Sequence, residues 1–176
     1  MNFFSQLLLA VFGKNRLGKG ASFATPTGTQ TASGNVVNAE TALKLSVVWA
    51  CVRLRSQTIA SLPLHLYGKD KRLADNHPLY RIIHDSPNAD MTASEFWEAM
   101  VASLDLWGNA YAYIVKNAGQ VVSLEVLDPE AMKVTRAKDG AVTYHYRENN
   151  HTFDYSDDEI FHIKGFTIDG LVGLSP

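Results

Sequence analysis

The sequence predicts an α+β fold in which N-terminal helices pack on a mostly antiparallel sheet of short strands and hairpins. Three observations carry that expectation. Apolar residues recur at helical spacing before Gly108 and alternate with polar ones after it. A helix-start signature at Thr92 and a helix-stop glycine at Gly108 bracket one well-marked helix. The segments beyond Gly108 are short and joined by turn-forming residues, with helices first and strands afterwards rather than alternating βαβ units.

Length and composition bound the rest. A chain of 176 residues, 46% of them hydrophobic, can bury one sizeable core, so one main globular unit is expected. The formal net charge is −2, which leaves no excess of cations to drive binding to phosphate backbones or anionic lipid. Cys51 is the single cysteine; it excludes an intrachain disulfide and reads as a small core residue in a chain suited to a reducing compartment.

The first stretch, Met1 to Phe12, is apolar from Leu7 onward but lacks a basic leader, and Lys14, Arg16 and Lys19 follow it. It is shorter than the roughly 20 residues a membrane span needs. The preferred reading is a short amphipathic helix that docks on a partner or on its own domain; an uncleaved membrane-surface anchor is the weaker alternative. Gly18 to Asn38 is rich in Gly, Ser, Thr, Ala and Asn and reads as a flexible arm. The expected division is therefore residues 1–37 as amphipathic segment and arm, and residues 38–176 as the folded α+β domain.

Within that domain, Glu40 to Leu45 reads as a helical lead-in. Ser46 is a candidate N-cap for a helix whose apolar stripe is Val47, Val48, Cys51, Leu54, Thr58, Ile59 and Leu62. That stripe is expected to face the core, leaving Arg53, Arg55, Ser56 and Gln57 wet. Pro63 cannot continue the helix, and Leu62, Leu64 and Leu66 then alternate as in a strand running to Tyr67. Gly68 to Asn76 is a charged loop. His77 to His84 is a short helix with Pro78 in its first turn. Thr92-Ala93-Ser94-Glu95 is a capping box, and Gly108 is placed to end the helix in a left-handed conformation.

Asn109 to Val115 alternates as a strand and turns through Lys116 to Gly119 into Val121 to Leu127, an antiparallel hairpin. Asp128-Pro129 caps a short turn of helix around Glu130 to Met132. Lys133 to Arg136 and Ala141 to Tyr146 form a second hairpin, and Thr152 to Tyr155 and Ile160 to Ile163 add short strands. The final Ser175-Pro176 pair ordinarily introduces a helix, which gives the chain an interrupted look.

Little in the sequence points to catalysis. There is no GxxxxGK[ST] loop, GxGxxG after a strand, GxSxG or HExxH. His77 and His84 are seven residues apart, about 10 Å along a helix, too far for one ion. His145, His151 and His162 fall on or beside different strands and read as surface or strand-side residues. The cluster Asp154, Asp157, Asp158 and Glu159 lacks the alternating ligands and central glycine of a calcium loop. No catalytic, cofactor-binding or metal-binding residue is assigned. Tyr111, Tyr113, Tyr144, Tyr146, Phe153 and Tyr155 line predicted strands, where packing is the economical account and base stacking the alternative.

A collinear series of short segments does carry a resemblance. Ser46-Val47-Val48-Trp49-Ala50-Cys51-Val52-Arg53-Leu54 leading to Ile59-Ala60-Ser61-Leu62-Pro63-Leu64 resembles the opening of tailed-bacteriophage portal proteins. His77-Pro78-Leu79-Tyr80, Pro87-Asn88, Met91-Thr92 with Glu95-Phe96, Gly108-Asn109-Ala110-Tyr111, Leu127-Asp128-Pro129, His162-Ile163, Asp169-Gly170 and Gly173-Leu174-Ser175-Pro176 follow in that family's order. Arg55 departs from the apolar residue expected there.

The resemblance implies a structural, non-enzymatic subunit of the portal, a ring, usually dodecameric, at one capsid vertex. The matching part corresponds to the N-terminal wing, with stem, clip and crown expected beyond Pro176. Implied partners are other copies of the chain, the terminase, the major capsid or scaffold protein, the head-tail connector, and double-stranded DNA passing without sequence specificity. No cofactor and no membrane is implied, and the expected location is the virion, with host cytoplasm during assembly. The competing reading is a stand-alone module that binds peptide or single-stranded nucleic acid through its strand-side tyrosines.

Overall fold

The computed structural model describes residues 46–175, the two-residue segments 29–30 and 36–37, and Leu43. Three helices, α1 (Ser46–Ala60), α2 (Pro78–His84) and α3 (Ala93–Trp107), precede the main run of strands. Strands β1 (Thr29–Gln30) and β2 (Val36–Val37) form a minimal antiparallel ladder inside the stretch expected to be a structureless arm. The expected N-terminal amphipathic segment, Met1 to Phe12, lies outside the described residues, as does the lead-in over Glu40 to Leu45 apart from the helical Leu43.

Two three-stranded antiparallel sheets follow. The first has the order β4 (Gln120–Leu127), β3 (Asn109–Asn117), β8 (Ile160–Lys164), and the second β5 (Met132–Arg136), β6 (Val142–Glu148), β7 (His151–Ser156). A 3-10 turn over Pro129–Ala131, capped by Asp128, leads from one sheet to the other. Both expected hairpins form, with a register irregularity at Val115/Lys116 where the first approaches its turn.

The helix ends follow from local chemistry. Thr92 Oγ1 accepts from the Glu95 amide at 3.4 Å and the Thr92 amide donates to Glu95 Oε2 at 2.7 Å, completing the capping box. Gly108 closes α3 at φ 69°, a conformation that suits a residue without Cβ. Pro78 opens α2, and the ring nitrogen Nδ1 of His77 accepts from the Leu79 amide at 3.2 Å.

Alternation along β3 produces two cores. Ala110 and Ala112 face α2 and α3, where they meet Ile82, Phe96, Met100 and Leu124. Their small side chains let α3 lie close to the sheet. Tyr111 and Tyr113 face the second sheet and pack with Tyr144, Ile160 and Tyr155. The register Tyr111↔His162 and Ala112↔Phe161 extends the same division to β8. The first sheet is thus covered on both faces. Its edge at β4 is partly closed by the chain between α2 and α3: the Leu124 amide donates to Pro87 O at 2.9 Å, and Asn88 Nδ2 donates to Leu124 O at 2.8 Å.

Helix α1 corrects the sequence reading. The stripe expected inside is outside: Val47 is 72% exposed, Leu54 is 69% exposed, and Cys51 is exposed as well. Ser56, assigned to the wet face, is 1% exposed. The helix is therefore turned by about half a revolution. The cause lies on α3, whose outer face carries Glu98 and Asp105, two turns apart on one side. The face of α1 that meets it buries Ser56 and Ala60; from its margins Arg55, exposed as expected, brings Nη2 to 3.0 Å from Asp105 Oδ1, and Gln57 hydrogen-bonds to Glu98, which also feels the Arg53 charge. The Arg55 departure from the family pattern is thus matched by a carboxylate.

The strand expected over Leu62 to Tyr67 does not form. One bridge, Tyr67↔Leu73, is all that pairs there. Gly68 turns the chain back after it, through the Gly68 amide to Arg72 O at 2.9 Å, before a ladder can lengthen.

Candidate functional site

Among the described residues a connected polar group lies where both sheets and the segment around Gly173 meet. Asn109, the first residue of β3, donates from Nδ2 to Trp107 O at 3.1 Å and to Gly173 O at 2.8 Å, and accepts at Oδ1 from the Gly173 amide at 2.7 Å. These contacts fix which end of the amide is oxygen. His162 Nε2 lies 3.0 Å from the same Oδ1. That oxygen only accepts, so Nε2 carries the ring proton.

In the neutral ring His162 Nδ1 is then an acceptor, and the Tyr144 hydroxyl at 3.3 Å supplies its donor. The same hydroxyl lies 3.3 Å from Asp157 Oδ1, so a single proton serves two acceptors. The Tyr111 ring covers His162 with centroids 4.3 Å apart. Burial, assisted by the Lys164 charge and opposed by Asp157, lowers the His162 pKa to about 4. Burial raises the Tyr144 phenol to about 12, with the Asp157 charge adding to it, and raises Tyr111 as well.

At neutral pH this junction is uncharged apart from Asp157. It holds one tautomer and joins three parts of the chain, a structural task. The backbone follows suit: the Gly165 amide donates to Gly108 O at 2.8 Å and the Leu174 amide to Phe166 O at 2.7 Å, so residues 165–174 fold back on the start of β3.

Of the other histidines only His65 and His84 meet, their rings stacked with centroids 5.6 Å apart, and among the described residues no third metal-ligating side chain completes a metal site with them. His77 caps α2, His84 stacks with Tyr80 and contacts Asp85 at 2.8 Å, and His145 bridges Thr135 and Asp154. His151 pairs with Glu148 in the β6–β7 ladder. The acidic cluster is spent on local partners, with Asp158 and Glu159 sharing the Ser156 hydroxyl. Asp158 Oδ2 meets Lys116 Nζ at 2.8 Å, Glu159 Oε2 accepts from the Ser156 amide at 2.9 Å, and Asp157 turns to Tyr144. The Lys116 contact holds the Asp158 carboxyl below its ordinary pKa, helped by the Ser156 hydroxyl, and that hydroxyl, followed by the Ser156 amide, does the same for Glu159. Among the described residues no group of three or more His, Cys, Asp or Glu is placed to hold a metal ion.

The strand-side tyrosines are also not a stacking platform. Tyr111 and Tyr144 are buried between the sheets, so the two rings at the centre of the row cannot receive a base. Among the described residues the most exposed large apolar side chains are Val47 and Leu54 on α1 and Phe166 and Ile168 in the returning C-terminal segment. Sequence reasoning missed Asn109, although the Gly108-Asn109 step from helix to strand marks a place where an amide can serve the exposed ends of both elements.

The model of the family described as phage portal protein matches residues 46–176, well over half of the chain. The chain belongs to the phage portal protein family. The portal protein of Enterobacteria phage HK97 is 44% identical over 146 residues, covering 80% of this chain and 34% of that relative. This member of the portal family thus spans about a third of the length of the HK97 relative.

Solved structures agree with the portal assignment. A chain of the neck of an empty gene transfer agent particle, computed with C6 symmetry, superimposes with a TM-score of 0.70 at 26% identity, over 84% of this chain and 44% of that one. A chain of the native particle's neck, computed with C12 symmetry, gives 0.60 at 28% identity, over 74% and 35%. The α+β arrangement of three helices and two antiparallel three-stranded sheets is therefore a portal-type fold. Among the described residues no portal helix is long and apolar enough to cross a membrane.

Proposed function

We propose that this chain is the wing part of a portal subunit, one copy in a homo-oligomeric ring at a capsid vertex. The observation that carries the reading is the likeness, at a TM-score of 0.70 over 84% of the chain, to a protein of a symmetric particle neck, joined to the family match over residues 46–176. A ring with twelve copies fits the C12 neck. In this reading residues 38–176 form the wing-like domain and residues 1–37 an arm.

The ring serves as a conduit for double-stranded DNA during packaging and ejection. It seats the terminase and head-tail connector and contacts the major capsid or scaffold protein. A formal charge of −2 suits a wall past which DNA slides, since each tight phosphate contact would hold it back. The chain itself performs no catalysis; the buried Asn109–His162–Tyr144 junction is scaffolding, and the energy for packaging comes from a separate motor. Assembly takes place in the host cytoplasm and the product resides in the virion.

A chimera tests this directly. Residues 46–175 of this chain replace the matching region of the HK97 portal protein, and the product is viewed by electron microscopy. Closed rings with a central channel are expected. Monomers or open chains from a folded chimera contradict the reading.

A further inference from the structure

The second sheet carries a hydrogen-bonded relay that the portal reading does not use. Val134, Tyr144 and Tyr155 turn toward the first sheet. By alternation Lys133, Thr135, Thr143, His145, Thr152 and Asp154 lie on the opposite face. Register brings three of them together across the sheet: His145 on β6 stands opposite Asp154 on β7, and Thr135 on β5 is two residues along from Lys133, the other partner of His145. Asp154 Oδ1 lies 2.5 Å from His145 Nδ1, and Thr135 Oγ1 lies 2.9 Å from His145 Nε2.

The partners fix the protons. A carboxylate oxygen only accepts, so Nδ1 carries the ring proton; Nε2 of the neutral ring is then an acceptor, and the Thr135 hydroxyl donates to it. Carboxylate, imidazole and hydroxyl in that order form a base, oriented by a third group and set on a nucleophile. The ring and Thr135 are half-buried and Asp154 is exposed, so the hydroxyl can be approached from solvent. In this the relay differs from the His162 junction, whose Tyr144 partner is buried.

Magnitudes decide what such a hydroxyl can attack. A positioned base contributes about 10²–10⁴-fold, and an oxyanion hole a further 10²–10³-fold or so. These three side chains supply a base and a nucleophile and no oxyanion donor. That suits acyl donors with a good leaving group, such as aryl esters and thioesters, and not peptide bonds.

We propose that Thr135 is an acyl-acceptor site for activated carboxylic esters, with His145 as its base. Thr135 Oγ1 bonds to the carbonyl carbon as its proton passes to His145 Nε2; the bond from that carbon to the leaving group breaks, and Nε2 returns the proton to the departing atom. One ester forms on the chain and one alcohol or thiol is released, a modification without turnover that a structural subunit can carry. Asp154 is a positioning residue that holds the ring in the required tautomer. The inference stands apart from the portal reading.

The test treats the whole 176-residue chain with p-nitrophenyl acetate, locates acetyl groups by peptide mass spectrometry over time and follows the fold by circular dichroism. Thr135 is expected to react about 100-fold faster than Thr143 and Thr152, which share its face. His145→Gln is expected to bring Thr135 down to the rate of those two. Asp154→Ala is expected to slow the reaction and Asp154→Glu to restore part of it. Thr143 and Thr152 report from within the wild-type chain, so the comparison stands even where a variant misfolds. Equal rates at the three threonines, acetyl groups confined to Lys133 or Cys51, or a folded His145→Gln or Asp154→Ala variant that reacts as the wild type does overturns the site.

Discussion

Asn109 and Gly173 exchange two hydrogen bonds, Nδ2 to Gly173 O at 2.8 Å and the Gly173 amide to Oδ1 at 2.7 Å, so a side chain stands in for a strand partner 64 residues away. Replacing the amide by a carboxylate keeps the acceptor and removes both donations. Asn109→Asp is expected to destabilise the fold by about 2–4 kcal/mol, since two buried carbonyls lose their donor and a charge is introduced beside them. Asn109→Ala should cost about as much. Urea denaturation checks both, and a change under 0.5 kcal/mol would show that the tail is held elsewhere.

Among the described glycines, Gly108 and Gly173 leave the least room for a side chain. A Cβ on Gly108 would overlap the Leu174 carbonyl, and one on Gly173 would overlap the Gly108 carbonyl. Gly108→Ala adds the cost of a left-handed conformation, about 1 kcal/mol, to that overlap. The expected total is roughly 3 kcal/mol or more, accompanied by faster proteolytic cleavage within residues 165–175. Gly140→Ala, with open space around its Cβ, should show the backbone cost alone.

Burial of His162 sets a pH dependence whose sign is fixed. Its folded pKa of about 4 lies below the ordinary 6.5, so the unfolded chain binds the proton first as the solution is acidified. Stability is full above pH 6.5 and falls as the pH drops toward 4. The full shift corresponds to about 3 kcal/mol; with the ring's partial access to solvent, a loss of roughly 1–2 kcal/mol is expected. Below about pH 4 the lowered carboxyls of Asp158, Glu159 and Asp169 add their own loss. Denaturation midpoints for wild type and His162→Gln across pH 4 to 7.5 separate the two effects, because the upper part of the slope should vanish in the variant.

The rotation of α1 makes an inverted pair of expectations. Leu54→Ala, a loss in an apparent core stripe, should change monomer stability by less than about 0.5 kcal/mol. Ser56→Leu, a gain of apolar surface on an apparent wet face, should cost about 1–3 kcal/mol by crowding the contact with α3. Equal and large losses at both positions would return the helix to the orientation its periodicity suggests.

The carboxylates under α1 give an opposite pH trend. Burial raises the Glu98 pKa, and that of Asp105, above the ordinary values, with Gln57, Arg53 and Arg55 only partly compensating. Their contribution is greatest when protonated and is lost as the pH rises. Glu98→Gln should therefore raise the urea midpoint at pH 7, and the gain should disappear near pH 4.

Features set by adjacent residues were legible in the sequence. The Thr92–Glu95 capping box, the left-handed Gly108, Pro78 at the start of α2 and both hairpins depend on chemistry within a few positions, and each is present. The face of α1 was not legible, because period alone finds a stripe and cannot say which side the molecule supplies with a partner. Here α3, distant in sequence, takes the side of Ser56 and Ala60, with Asp105 and Glu98 reached by Arg55 and Gln57 from its margins. The tyrosines show the same limit: alternation placed Tyr111 and Tyr144 on strand faces, but only the packing of one sheet on the other buries them. Asn109 stands in a segment that carries the family resemblance, but its role was not legible because its partners, Gly173 and His162, are distant in sequence.

Packaging itself is the most direct measure of the central claim that this chain builds a portal wing. HK97 heads assembled with the chimera carrying residues 46–175 are separated by density and their DNA content is measured. DNA-filled heads in numbers comparable to wild-type portal are predicted. Heads that assemble with the chimera in place at one vertex and yet remain empty would contradict the account.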